Sequence, residues 1–224
     1  MLTGRIGVTI ARNASGSAAV EQAKLWAQQL GAEYIVRPHN VSMPELMQQH
    51  GLAALVVGEK DGPRIHSEAG SFAYHPSMAV LRLQQLKRGQ TDHLLPALGL
   101  REGVRVLDAT MGLAADAALS AYAVGAGGRV VGLEASPLLH FAVSYGLAHY
   151  VAEDEDLTVA LRRIEPVQAV AKEYLAQCAA QSFDVVYFDP MFRHPVQGSK
   201  AMDALRPLSY EAALDEETLA LARR

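Results

Sequence analysis

Three acidic residues close apolar, β-prone runs in this chain. Asp108 ends the strand-like part of GVRVLDAT, Glu134 ends RVVGLE, and Asp189 ends FDVVYFD. In an open parallel sheet, ligands bind outside the carboxyl ends of the strands, so carboxylates there are placed to take hydrogen bonds from a polar ligand. After Asp108 come Thr110, Met111 and Gly112, and a helix is expected to start at once. A strand running through a Gly-containing turn into a helix N-terminus turns backbone amides toward a nucleotide-type ligand. Glu134 follows Asp108 by 26 positions. An acidic side chain at the tip of the second strand accepts from ribose hydroxyls in such folds. Each charge-assisted bond is worth about 1.5–3 kcal/mol. Taken singly, Asp108 could cap its own turn and Glu134 could be an exposed strand end. Together, at neighbouring strand ends, they point to a nucleoside-containing cofactor held by Asp108, Thr110, Gly112 and Glu134.

The turn also says which cofactor. A dinucleotide fingerprint needs G-x-G-x-x-G so that the backbone can lie against a pyrophosphate. Here Gly112 is followed by Leu113, Ala114, Ala115 and Asp116. A carboxylate at that point repels a pyrophosphate and attracts an ammonium group. S-adenosylmethionine carries that ammonium and no phosphate, so it is the cofactor expected, and NAD is not.

The third strand end continues as Asp189-Pro190-Met191-Phe192. With the first two motifs, this chain resembles the class I S-adenosylmethionine-dependent methyltransferases that modify exocyclic amines of bases. Within them it resembles most the RsmJ-like small-subunit ribosomal RNA guanine methyltransferases. The counterparts of their DATAGLGRD, LER and VVYLDPMF motifs are DATMGLAAD (Asp108–Asp116), LEA (Leu133–Ala135) and VVYFDPMF (Val185–Phe192). The resemblance covers roughly residues 100–200. It implies cofactor contacts from Ala115, Asp116, Glu134, Ala135 and Asp189, and RNA, ribosomal in that family, as the substrate. GLAAD stands where the family has GLGRD, so a second Gly and an Arg are missing here. The family's Ser-Ser pair before the fourth strand has no counterpart near Glu165–Gln168.

Elementary chemistry agrees with this resemblance. The lone pair of a purine's exocyclic amine is delocalised into the ring, which makes the amine a poor nucleophile. Acceptors that hold its hydrogens in a fixed direction recover the lone pair, and catalysis is then mainly positioning. Asp189 and the Pro190 carbonyl are the expected acceptors, and Phe192 the expected stacking partner of the base, at about 1–3 kcal/mol. The bland alternative is a proline that ends a strand and a phenylalanine that packs in the core.

The remaining residue types exclude more than they assign. Eight histidines form no H-x-H or H-E-x-x-H pattern, so no metal site is expected. His75 and His194 are the two near enough to the motifs to touch substrate. The one cysteine, Cys178, rules out a disulfide framework. No apolar run approaches the roughly 20 residues of a membrane span, and no signal-peptide layout opens the chain, so a cytoplasmic protein without membrane partners is expected. A net charge of −4 gives no overall pull on a polyanion. Local cationic groups occur at Arg82, Lys87 and Arg88, at Arg162 and Arg163, and at Arg193, Lys200 and Arg206, where solvated helix and loop faces are the ordinary explanation.

The elements that must position these residues follow from periodicity. Strand-like and helix-like runs alternate over residues 1–58, predicting a small N-terminal α/β unit (residues 1–70) with parallel strands. Its NASGS turn, before a helix, could cap that helix or meet an anion. Residues 61–76 read as a connector, with a short strand at RIHS at most. From residue 71 to 224 a doubly wound, mostly parallel α/β sheet of Rossmann type is expected. It has helices over 113–125, 137–150 and 168–180, and a weak strand near 157–164. A helix over LSYEAALDEETLALARR is the last element, so the final strands of a full seven-stranded methyltransferase sheet are expected to be missing. Either the chain is C-terminally truncated, or the open edge next to the DPMF strand is covered by the N-terminal unit or by another subunit of a homo-oligomer.

Overall fold

The computed structural model describes residues 4–14, 16–189 and 214–224. The chain divides into two compact units, one running to Tyr74 and the other starting at His75.

The first unit holds β1 (Arg5–Ile10), α1 (Ser17–Gln29), β2 (Glu33–Tyr34), α2 (Met43–His50), β3 (Leu52–Glu59), β4 (Gly62–Ser67) and β5 (Gly70–Ala73). Its sheet has the order β2-β1-β3-β4-β5. β1 runs parallel to β2 and β3, as a β-α-β-α-β alternation requires. β2 is only a two-residue pairing, extended by the Ile35 amide donating to the Val8 carbonyl. α2 opens on a capping box: Ser42 Oγ accepts the Glu45 amide and the Glu45 carboxylate accepts the Ser42 amide. The N-cap of α1 is Gly16, and no side-chain hydrogen bond caps the helix among the described residues of the NASGS turn.

Within the connector expected over 61–76, the short strand at RIHS is present as part of β4, and a second strand, β5, follows it; both pairings are antiparallel. β4 pairs with β3 from Glu59↔Gly62 to Ala54↔Ser67, and β5 pairs with β4 from Ser67↔Gly70 to Arg64↔Ala73. Two-residue turns, Lys60-Asp61 and Glu68-Ala69, make both reversals, each followed by a glycine at positive φ.

The second unit holds α3 (Ser77–Lys87), α4 (Leu94–Ala97), β6 (Arg105–Asp108), α5 (Ala115–Val124), β7 (Arg129–Glu134), α6 (Pro137–His149), α7 (Glu155–Arg162), β8 (Ile164–Gln168), α8 (Ala171–Gln177), β9 (Val185–Tyr187) and α9 (Glu216–Ala222). The strand order is β8-β7-β6-β9, and every pairing is parallel. This is the doubly wound α/β arrangement, with the order reversing between β6 and β9. Leu107, Val131 and Leu133 pack on one face against Leu175 of α8 and Leu221 of α9. The alternate residues Val106 and Val130 are also buried, as a sheet covered on both faces demands. Among the described residues β9 pairs only with β6, so it forms an edge.

One expected element differs in kind. The weak strand near 157–164 is α7 followed by β8. Thr158 and Val159 favour a strand locally. Asp154 nevertheless caps α7 by accepting the Asp156 amide, and Glu155 and Asp156 fill the first turn, which suits the positive end of the helix dipole. Leu157, Ala160 and Leu161 then fall on one buried face. β8 contains Pro166, whose missing N–H is tolerated because, among the described residues, β8 pairs only with β7.

Candidate active site

The three acidic strand ends lie side by side. β6 sits between β7 and β9, with Asp108 in register with Gly132 on one side and Tyr187 on the other. Asp108 is 3% exposed, and its Oδ1 accepts the Thr110 amide at 3.1 Å. It therefore braces the turn from beneath. Burial pushes its carboxyl up to about 7. The Thr110 amide opposes that rise, and the charges of Asp116, Asp189 and Glu134 add to it.

The turn itself needs two left-handed residues. Gly112 has φ 51°, and Ala114, the N-cap of α5, has φ 60° and ψ 27°. Ala114 occupies the place of the family's second glycine, which accounts for the glycine there: only Gly adopts this conformation without strain. The Met111 amide donates to the Leu133 carbonyl at 2.8 Å, joining the turn to β7. Ala115 and Asp116 then form the first turn of α5.

Glu134 is buried at the tip of β7, where its Oε1 accepts the Ser136 amide at 2.8 Å. Burial raises its carboxyl above the ordinary range, opposed by the amides of Ser136, Gly112 and Ala135. A carboxylate offers about four acceptor positions, so capacity remains for ribose hydroxyls. Ala135 links Glu134 to Ser136, whose Oγ caps α6 by accepting the Leu139 amide.

The strand that leads to DPMF is tied to the same turn. The Asp189 amide donates to Thr110 Oγ1 at 2.6 Å, and the Ala109 amide donates to the Tyr187 carbonyl at 2.9 Å. Partial burial and the charge of Asp116 raise the Asp189 carboxyl. Pro190, Phe192 and His194 lie outside the described residues, as do Arg193, Lys200 and Arg206.

Two residues of the site escaped the sequence reading. Arg82 of α3 donates to Asp116, and Tyr187 of β9 donates to the other Asp116 oxygen at 3.0 Å. Tyr187 could have been found: it stands two residues before Asp189, hence on the same side of the strand. Arg82 had no local signal. Several cations proposed as surface clusters are likewise engaged. Lys87 bridges Asp154 and Asp156, and Arg162 donates to the carbonyls of Leu147 and Tyr150. His75 meets Tyr150 OH at 3.1 Å, with the rings edge to face.

The donor set fits S-adenosylmethionine. Carboxylates converge on the crevice, suiting a cationic ligand, while the turn offers no glycine-lined bed for a pyrophosphate. Among the described residues no group of His, Cys, Asp and Glu could hold a metal ion, and no helix is long and apolar enough to cross a membrane.

Comparison with known proteins points the same way. The profile of the family described as "Putative SAM-dependent methyltransferase" matches residues 57–222. The chain is 34% identical over 209 residues to Uncharacterized protein YpiP of Bacillus subtilis, covering 92% of this chain and 81% of that one. It is 30% identical to ribosomal RNA small subunit methyltransferase J of Pseudomonas savastanoi pv. phaseolicola, covering 99% and 81% of the two chains. With the J enzyme of Pseudomonas fluorescens the identity is 31%, covering 90% and 76%. With Asp108, Glu134 and Asp189 at neighbouring strand ends and a family profile matched over most of its length, the chain belongs to the S-adenosylmethionine-dependent methyltransferases of class I and resembles the small-subunit ribosomal RNA methyltransferases J.

Proposed function

We propose that this methyltransferase acts on the exocyclic amine of guanine in ribosomal RNA. The observation that carries the proposal is the bond between the Asp189 amide and Thr110 Oγ1. It fixes the start of the DPMF segment against the cofactor turn, where an acceptor must stand to serve a transferable methyl group. The J-type relatives supply the substrate class.

S-adenosylmethionine supplies an electrophilic methyl group on sulfur. Glu134 would hold the ribose, Asp116 the ammonium group, and the amides around Gly112, Ala115 and Ala135 the rest, with Asp108 and Thr110 keeping the turn in shape. The Asp189 carboxylate and the Pro190 carbonyl would accept the hydrogens of the amine, directing its lone pair at the methyl group. A raised Asp189 carboxyl is a stronger proton acceptor than an ordinary aspartate, which suits it to the proton the amine must lose. Phe192 would stack on the base. The N-terminal unit expected over residues 1–70 runs on through β5 to Tyr74, and the methyltransferase domain would start after it.

The test is methyl transfer from labelled S-adenosylmethionine to RNA, protein and metabolite fractions in parallel, with nucleoside mass analysis of labelled RNA. N2-methylguanosine in small-subunit ribosomal RNA is the expected product. Label in protein or in metabolites would replace RNA as the substrate. Cofactor binding with no transfer to any fraction would leave a silent binding module. Asp189→Ala should slow single-turnover transfer by orders of magnitude at saturating cofactor, with the fold retained.

A further inference from the structure

We propose that Arg82 and Tyr187 are positioning residues for the methionine end of the cofactor, acting through Asp116. The proposal rests on the reading of Asp116 as the ammonium acceptor. Asp116 is the meeting point of three elements. It belongs to the first turn of α5, it takes a guanidinium N–H from α3 on Oδ1, and it takes the Tyr187 hydroxyl of β9 on Oδ2.

The guanidinium is itself fixed. Its Nε and Nη2 donate to the two oxygens of Asp92, at 2.8 and 3.0 Å, in the paired geometry that sets its plane. Asp92 is held in turn by the Leu94 amide at 3.0 Å. Only Nη1 of this fork turns to Asp116. Burial alone would lower the Arg82 pKa, yet its bonds to Asp92 and Asp116 and their charges raise it, so the cation is permanent. The side chains of Arg82, Asp92 and Asp116 are 20%, 9% and 21% exposed, so water screens them only in part.

Charge and geometry make opposite predictions here, which gives the proposal its edge. One guanidinium between two carboxylates leaves one negative charge over, and an incoming ammonium would balance it. If Arg82 mattered only as a charge, removing it would tighten the binding of a cation. If it holds the Asp116 carboxylate in one orientation, removing it loosens that binding although the site becomes more negative. Tyr187 works from the opposite side without charge, and it belongs to the strand that carries Asp189. The carboxylate is thereby held in register with the acceptor end of the site.

The test compares S-adenosylhomocysteine, S-adenosylmethionine and adenosine by calorimetry on the full chain. Arg82→Lys keeps the charge and loses the fork. Arg82→Met with Asp92→Asn removes the cation and the charge of its other partner together, so Asp92 is not left ionised and unpaired; both variants keep the net charge of the cluster, and charge alone predicts unchanged binding. Both variants should bind the two methionine-bearing ligands about tenfold more weakly, the loss of roughly one charge-assisted bond, and adenosine within about twofold of wild type. Tyr187→Phe should give a smaller loss of the same pattern. Unchanged or tighter S-adenosylhomocysteine binding in both Arg82 variants, while Asp116→Ala weakens it, would overturn the proposal and leave the role of Asp116 standing. Equal weakening of adenosine and S-adenosylhomocysteine by Asp116→Ala would remove that role, and the proposal with it.

Discussion

Replacing Asp108 by Asn should make the protein more stable, and increasingly so as pH rises. Asp108 is fully buried, and its carboxyl is raised from 3.8 to about 7. The folded chain therefore keeps a proton that the unfolded chain gives up. The stability this contributes is complete below about pH 4, is lost progressively between about pH 4 and 7, and is gone above that. The gap of about three pH units corresponds to about 4 kcal/mol at 1.36 kcal/mol per unit, an upper figure because Asp116, Asp189 and Glu134 share the field. Between pH 5 and 8 the wild-type chain should lose about 2–3 kcal/mol that Asp108→Asn keeps. The Asn carbonyl can still accept the Thr110 amide, so the turn should survive. Urea denaturation of both proteins at one-unit steps from pH 5 to 9 measures the difference directly. Saturating S-adenosylmethionine should move the wild-type step to lower pH, since a bound cation favours the carboxylate. Two stability curves that stay parallel across this range would refute the assignment of a neutral Asp108 to the folded state.

Gly132→Ala should cost about 1–3 kcal/mol, because a Cβ there would lie 2.3 Å from Met111 Sδ and 2.8 Å from its Cγ; an unchanged urea midpoint would show that the cofactor turn yields freely. Ala114→Gly trades about 1–2 kcal/mol of left-handed strain for about 0.8 kcal/mol of lost methyl burial. Its stability should therefore stay within about 1 kcal/mol of wild type and its cofactor affinity should persist, and a larger loss by thermal denaturation would contradict the strain argument. Thr110→Val removes the acceptor of the Asp189 amide, so single-turnover methyl transfer should fall further than cofactor affinity. Equal losses in both would confine Thr110 to cofactor binding.

The parts of the fold that sequence revealed are those set by local rules. β6 and β7 are apolar runs closed by acids, and α5 and α6 begin at a glycine turn and at a serine followed by proline, so their ends were legible to within a residue or two. In the β3–β4–β5 meander, β3 and the RIHS part of β4 were legible but β5 was not, because the Gly and Pro residues around them read equally well as a linker. α7 was missed because Thr158 and Val159 favour strands, while its cap at Asp154 and its buried face decide the matter only in three dimensions. In the site, Asp108, Glu134 and Asp189 were marked by their strand ends. That Asp108 lies beneath the turn, and that Asp116 is already engaged by an arginine 34 residues earlier in sequence, depends on tertiary packing.

The ion pairs of the second unit bear on how a nucleic acid would be held. Lys87 spans Asp154 and Asp156, Lys172 spans Asp215 and Glu217, Arg105 pairs with Asp184, and Arg129 with Glu165. A phosphate backbone approaching these groups would meet a carboxylate beside each cation, and neutralising it would first require breaking a pair. An RNA lying against them would release few condensed counterions, and its affinity would fall only gently as salt is raised. Discrimination among RNA sites would then come from unstacked bases and local shape rather than from the density of backbone charge.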